Sequence, residues 1–540
     1  MASLAPLGGM LGKRLAAHLL RRCSYNISRA RIESLANMTV TQAVDRLLTP
    51  QPLNMSEPID PATGQAWISG RIPPQSTNSR LRAYVIGWWT HEALLDESIG
   101  HKMAFFLHTN FTVSASSQNA ERFFDHLSLL RYYHLGNFRI LAEKMILDNI
   151  MLDYLDNKLN KKQNPNENFA REYFELFTIG KGPQVGPGDY TNYTEEDIAA
   201  ASRLLTGFQV GSRTQHIDPD TGIPRGRATL SRHDTTDKTF SAAFQNQTIT
   251  GATTANGMFD ELSEFVDMIF DQEATATFIC RKLYRFFVSR HLSPEIEQDI
   301  ITPLATTFRN SDYDLKATMR QLLRSQHFYD KDDSAHTDEI IGGMIKSPID
   351  LVHGALSYFD VDIPDPLTDS VDHYHNFYKR TVNEVIFPQA GFSLFQPSSV
   401  AGYPAYYQEP DFHRAWFNPS TIIARYRLPE ILTSGRRVIS YGSAYVQMDI
   451  VQFVQQTQNI SNPLLPDILV AEMLEHLLSE IPEADRADYF LNTIFLDGLP
   501  AADWTYEWEA FEASGDDSEV RIPLENLVTA IMYSPEYQVF

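Results

Sequence analysis

The side chains best placed to do chemistry fall in one stretch, Asn164-Pro165-Asn166-Glu167-Asn168-Phe169-Ala170-Arg171-Glu172-Tyr173-Phe174-Glu175-Leu176-Phe177-Thr178. It opens like a helix: Asn164 serves as cap, Pro165 suits the first helical position, and Glu167 sits three residues after the cap, where it bonds back. At about 100° per residue, Asn168, Arg171, Glu172 and Glu175 share one arc, while Phe169, Tyr173, Phe174, Leu176 and Phe177 lie opposite. Such a stripe has two readings. Facing solvent, Arg171 pairs with Glu167 and Glu175 at four-residue spacing, for a few tenths of a kcal/mol each. Facing a cleft, the carboxylates Glu172 and Glu175 bind a hard cation or divide acid and base work between them. Residue chemistry alone favours the solvated face.

Other candidates are weighed in the same way. In His233-Asp234 the carboxylate can orient the imidazole for proton transfer or ligation, but an ordinary turn hydrogen bond is the stronger reading. His108, beside Phe105 and Phe106 on an apolar helix, reads as a satisfied core histidine. His373 and His375 bracket Tyr374 and would share a face on a strand, yet their Pro-rich surroundings predict a loop. Thr194 and Asp197 form a capping box, with Gly207 placed to end the helix they open. Cys23 and Cys280 are too few and too far apart for a disulfide framework or a thiolate zinc site, and read as buried thiols.

Several chemistries lack their motif. His91-Glu92 has no second histidine four residues on, so no zinc helix of the His-Glu-x-x-His kind is present. No Gly-x-Ser-x-Gly elbow occurs. Gly180, Gly182, Gly186 and Gly188 follow a helix instead of leading into one, which argues against phosphate loops and dinucleotide cofactors.

These groups must be positioned by helices. Residues 11–50 read as two short helices, and 50–79, with six prolines, as a long ordered loop. Helical periodicity dominates from Leu81 to Gly207 and again from Asp260 to about Tyr358. Between them, 208–256 is rich in Thr, Gly and Ser and carries β-prone pieces at Ala228–Leu230 and Thr248–Thr250. The expected fold is all-α or nearly all-α, a multi-helix packed architecture with a small β-hairpin insert. Its segments are 1–79, 80–207 with the signature helix, 208–259 as the insert, 260–360, a Pro- and aromatic-rich connection over 361–430, and a helical part over 431–540. No fixed-period repeat supports a solenoid.

With 540 residues the chain exceeds what one core holds. Apolar residues at 43% and charged ones at 21% fit a globular protein and exclude wholesale disorder. A net charge of −23 repels phosphate backbones and argues against nucleic acid as a partner. No apolar run is long enough for a membrane helix. Residues 1–32 carry six basic side chains and no acid, which superficially resembles a transit peptide. His18 interrupts the only apolar stretch there, so the favoured reading is an amphipathic helix with Leu15, Leu19 and Leu20 facing the core and its cations meeting acidic surface elsewhere. Residues 11–22 are then expected to stay in the mature protein. In the absence of a clear signal peptide, a cytoplasmic location is the default expectation.

The run Asn166-Glu167-Asn168-Phe169-Ala170-Arg171-Glu172, followed by Glu175-Leu176-Phe177-Thr178-Ile179-Gly180, resembles the signature of the bacterial domain-of-unknown-function family 1800. Further stretches agree in order and spacing: Ala16 to Arg22, His108 with Asn110-Phe111-Thr112, Gly136-Asn137-Phe138, and Tyr154 to Asn157. They continue with Tyr193-Thr194-Glu195 and Asp197, Arg203, Thr206-Gly207-Phe208, His233-Asp234 with Lys238, Pro397, and Val400-Ala401-Gly402. Where the family commonly has His-Asn-His-Phe, this chain has His108-Thr109-Asn110-Phe111. Tyr403 stands where the family has tryptophan, which preserves stacking. The resemblance implies a fold class but no established activity. It further implies an association with the cell envelope and with an alkaline-phosphatase-like partner, since relatives are often exported and encoded beside such proteins.

Two functional classes follow. In the leading one the chain is a non-catalytic scaffold or binding protein, whose polar centre comprises His108, Asn166, Glu167, Asn168, Arg171, Asp234 and Lys238. In the other it is a hydrolase using Glu172, Glu175 and His233 around a cleft with His108, the one cofactor implied being a divalent cation. Either way, the resemblance predicts that Asn168, Arg171 and Glu172 are largely excluded from water and bonded to neighbouring helices or to the His233-Asp234 turn.

Overall fold

The computed structural model describes residues 2–70, 72–187, 189–332, 340–434 and 447–540, so Gly188 and part of the C-terminal helical segment lie outside the described residues. The chain is built from helices, with only short two-stranded antiparallel sheets, as the periodicity predicts. Helix Glu273–Phe287 shows why: Ala276, Ile279, Cys280, Leu283, Tyr284 and Phe287 recur at three- and four-residue spacing and are all buried. Both cysteines are buried thiols, as their number and separation predict.

The insert contains two small ladders. Phe208–Gln209 pairs with Arg227–Ala228, and Lys238–Thr239 with Thr248–Ile249. Two hairpins were not expected, Ile59–Asp60 with Gln65–Ala66 and Gln184–Gly186 with Asp189–Tyr190. The first sits in the Pro-rich stretch, where the Asp60 carboxylate accepts the Gln75 and Ser76 amides at 2.8 and 3.0 Å and the Ser76 hydroxyl at 2.6 Å.

The chain divides into two compact units, each discontinuous in sequence. The first comprises Met1–Leu4, Gly100–Leu322 and Phe395–Tyr407, and the second Ala5–Ile99, Leu323–Leu394 and Gln408–Phe540.

In the second unit, helix Gly12–Cys23 buries Leu19 and Leu20 but leaves Leu15 half-exposed. Lys13 pairs with Glu33 at 3.0 Å and Arg14 with Glu480 at 2.8 Å, as the acidic-surface expectation requires. Arg21 and Arg22 depart from it: both are buried, and they donate to the carbonyls of Leu478 and Ile340. The loop expected around His373 and His375 is instead part of the helical element Val371–Ile386. Pro364, Pro366 and Pro388 bracket this run without interrupting it, and Tyr374, Phe377, Tyr378 and Val382 supply a buried face at helical spacing. It packs on helix Asn78–Leu95, where a Cβ on Gly87 would come within 3.1 Å of the Tyr378 Cβ.

In the first unit an aromatic core anchors the signature segment. Phe174 stacks on Tyr193 at 5.3 Å between ring centroids and meets Phe265 edge-on at 5.7 Å. Among the described residues of either unit, no helix is long and apolar enough to cross a membrane.

Candidate functional site

The signature segment begins two residues later than its sequence suggests. Asn166, not Asn164, is the cap, and its side chain accepts the Asn168 amide at 3.0 Å. The reason lies upstream: Asn164 closes a turn onto the Lys161 carbonyl, and the Asn166 amide donates to Asn160 Oδ1 at 2.9 Å. The helix then runs Glu167–Glu172 and widens into a π-helical turn over Tyr173–Thr178. The Thr178 hydroxyl reaches back five residues to the Tyr173 carbonyl at 2.6 Å.

That widening alters the phase on which the polar stripe depends. Glu175 pairs with Lys181 at 2.5 Å, while Arg171 makes a two-pronged bond to Glu195 at 2.7 and 2.7 Å and a weaker one to Glu167 at 3.3 Å. The expected Arg171 to Glu175 pair does not form. Nor is the stripe largely excluded from water. Asn168 and Glu167 are exposed, Arg171, Glu172 and Glu175 are half-buried, and the Asn168 side-chain amide donates to the Leu155 carbonyl at 3.3 Å. Burial, and then the charge of Glu175, raise the Glu172 carboxyl above its ordinary value.

His233 and Asp234 belong to a separate buried network. The His233 Nδ1 is bonded to the Thr206 carbonyl at 2.8 Å and Nε2 to Glu261 at 2.8 Å. Glu261, 3% exposed, also accepts Lys238 at 2.5 Å and the Ala252 amide at 3.0 Å. Asp234 turns away from the imidazole and bonds Arg203 at 2.8 Å. Burial would raise its carboxyl, but the Arg203 guanidinium and the Thr236 hydroxyl and amide outweigh it and hold the group well below the usual range. The Thr206-Gly207, His233-Asp234, Arg203 and Lys238 motifs therefore fasten the insert to its helices. Helix Glu195–Leu204 opens on the expected Thr194 and Asp197 box but ends before Gly207. Gly207 lies at φ +87°, where a Cβ would come within 2.9 Å of the Thr229 carbonyl.

His108 is a core histidine, but not a satisfied one. It is fully buried, and neither ring nitrogen has a hydrogen-bond partner among the described residues. Its ring lies 6.0 Å from that of His126 and 4.8 Å from Phe395. Burial, and then His126, drive its pKa well below the ordinary imidazole value. Among the described residues, no group of three or more His, Cys, Asp or Glu side chains is arranged to hold a metal ion.

Three of the sequence motifs meet instead around a cavity of about 530 Å³ in the first unit. Its walls include Asn110, Glu175 with Leu176, and Val400 with Ala401. Gly402 fits the last segment closely against the first, since its Cβ would lie 3.1 Å from Thr112 Oγ1. Helix Glu273–Phe287 supplies a further wall: Phe278, Arg281, Lys282 and Arg285 recur at the spacing of one helical face and all line the cavity. Phe286 stacks on Tyr406 with centroids 5.2 Å apart, and Tyr403 joins the cluster 6.1 Å from Phe105. A larger cavity of about 800 Å³ in the second unit is lined by Asp360, Asp362 and Asp449 but by none of the motif residues. The smaller one is therefore the better candidate.

The electrostatics of this cavity are uneven. Lys181 is paired to Glu175, and Arg281 to Glu297 at 2.7 Å. Lys282 donates to neutral oxygens, Asn110 Oδ1 at 2.7 Å and the Leu176 carbonyl at 2.6 Å. Asn110 in turn donates to the Phe177 carbonyl at 3.1 Å. The two residues thus satisfy carbonyls that the end of the signature helix leaves open. Burial pushes the Lys282 ammonium down to about 7. Of the expected catalytic residues only Glu175 reaches this cavity. Lys181, Arg281, Lys282, Arg285 and Tyr406 were not anticipated, although the basic face at 281, 282 and 285 is readable as a helical repeat on an otherwise apolar helix.

No curated protein and no solved structure matches the chain. The family model described as Protein of unknown function (DUF1800) matches residues 18–539, nearly the whole length. The signature helix, the buried network at His233 and the cavity all lie within that span, and the chain belongs to the DUF1800 family.

Proposed function

We propose that the chain is a binding protein for small organic anions, with the cavity of the first unit as its site. One observation carries this reading: four basic residues, Lys181, Arg281, Lys282 and Arg285, line the cavity against two carboxylates, Glu175 and Glu297, in a chain whose net charge is −23. An acidic protein repels anions in general, so a locally cationic recess selects for them only where its own donors reach the ligand. Phe106, Phe278, Phe286 and Tyr406 line the same space, so the ligand would carry an apolar or aromatic body. A hydrolytic site assembled from Glu172, Glu175, His108 and His233 is not supported, because the two histidines sit in separate buried settings of their own.

Fluorescence titration with anilinonaphthalene sulfonate tests the proposal. We expect saturable binding that benzoate displaces, weakened about tenfold or more in Arg285→Gln, as loss of one charge-assisted hydrogen bond implies. Absence of saturable binding, or equal binding by the variant, would overturn it.

A further inference from the structure

We propose that Lys282 forms a reversible imine with an aldehyde or keto group of an organic anion held in the cavity, an inference that rests on the anion-binding reading of the same site. A lysine acts as a nucleophile when its amine is neutral, positioned and open to the ligand. Lys282 lines the cavity, and its two hydrogen bonds, at 2.7 and 2.6 Å, go to the neutral oxygens of Asn110 and Leu176. A neutral amine has two N–H bonds and one lone pair. Two acceptors use both N–H bonds, so the lone pair is left for a carbon electrophile.

Burial favours the neutral amine. It strips water from the charged form, and this outweighs the Phe278 ring, whose centroid 4.7 Å from Nζ favours the ammonium. Burial brings the group to about 7, so close to neutral pH about half of the chains carry the lone pair. Lys238, the buried lysine of the sequence motifs, is engaged by Glu261 and has no comparable freedom.

The reaction balances without any co-reactant. The Nζ lone pair attacks the carbonyl carbon and forms a C–N bond while the carbonyl oxygen gains a proton. The resulting hydroxyl leaves as water, taking the second nitrogen proton, and the nitrogen lone pair closes the C=N bond. Nothing is oxidised or reduced, and added water reverses the sequence.

Pyridoxal phosphate, an anionic aromatic aldehyde, is the probe. The full chain is incubated with it, the imine is fixed with borohydride, and the modified residue is located by peptide mass mapping. We expect about one equivalent per chain on Lys282, suppressed by anilinonaphthalene sulfonate and lost in Lys282→Arg. The labelling rate should rise about tenfold per pH unit below pH 7 and level off above it, following the neutral fraction. Label spread over exposed lysines such as Lys161 and Lys162, with Lys282 unmodified, would overturn the inference. If the sulfonate dye still binds saturably in that case, only the imine fails; if the dye does not bind either, the anion-binding reading fails with it.

Discussion

The Lys282 amine lies 2.6 Å from the carbonyl oxygen of Leu176, so one side chain both closes the last turn of the signature helix and lines the cavity beside it. With Asn110, which donates to the Phe177 carbonyl at 3.1 Å, it couples the signature to the candidate site.

This coupling has a pH signature. Lys282 is held at about 7 in the free protein, and a bound anion favours its charged form, which raises the bound-state value. Between the two values, binding takes up a proton. Affinity for anilinonaphthalene sulfonate should therefore be highest below pH 7 and fall as pH rises through and above it, by at most about tenfold per pH unit. In Lys282→Arg, charged throughout, the same titration should be flat from about pH 6 to 9. A flat profile in the unaltered chain would contradict the assignment.

Arg171→Ala should cost little. Its two-pronged bond to Glu195 is well formed, but the two side chains retain 34% and 45% of their exposure, so solvent screens the pair. We expect denaturant unfolding to show a loss of about 1 kcal/mol or less. A loss of about 3–5 kcal/mol, the range for a broken buried pair, would mean that the stripe is sheltered after all.

The opposite holds for Glu261→Gln. Glu261 compensates the fully buried Lys238 and accepts from His233, so the amide would leave a buried ammonium without its counter-charge. Denaturant unfolding should register a loss of about 3–5 kcal/mol. A change under about 1 kcal/mol would remove the network from its structural role.

Gly180→Ala tests the wall of the cavity. Gly180 lies at φ +71°, and an added Cβ would come within 2.6 Å of the Phe278 ring. The left-handed backbone alone costs a non-glycine residue about 1–2 kcal/mol, and Phe278 must also move. Lower stability together with weaker dye binding is expected, whereas unchanged binding would separate Phe278 from the site.

Much of the fold was legible because helical periodicity is local. Both helical stretches and the strand at Thr248–Ile249 lie where apolar spacing and turn residues put them, whereas the expected piece Ala228–Leu230 shares only Ala228 with the strand Arg227–Ala228 and runs into a 3-10 turn at Leu230. The element Val371–Ile386 was hidden by flanking prolines, which colour composition without entering the run. The solvated face is as residue chemistry alone reads it, but the Arg171 to Glu175 pair fails for a geometric reason: a wheel at about 100° per residue assumes an α-helix, and the π turn from Tyr173 onward breaks that assumption just before Glu175. His233 was located correctly beside a carboxylate, but the carboxylate that bonds it is Glu261, 28 residues away. No sequence spacing announces such a partner. The basic face of Arg281, Lys282 and Arg285 is legible, since it obeys the same helical repeat as the apolar residues of that helix.

The most direct test of the central claim is a crystal structure of the chain soaked with para-iodobenzoate, located by the anomalous signal of iodine. The account predicts one dominant iodine site in the cavity of the first unit, among Phe278, Phe286 and Tyr406, with the carboxylate toward Lys282 or Arg285. Iodine found only at the outer surface, or in the second unit beside Asp360 and Asp362, would contradict it.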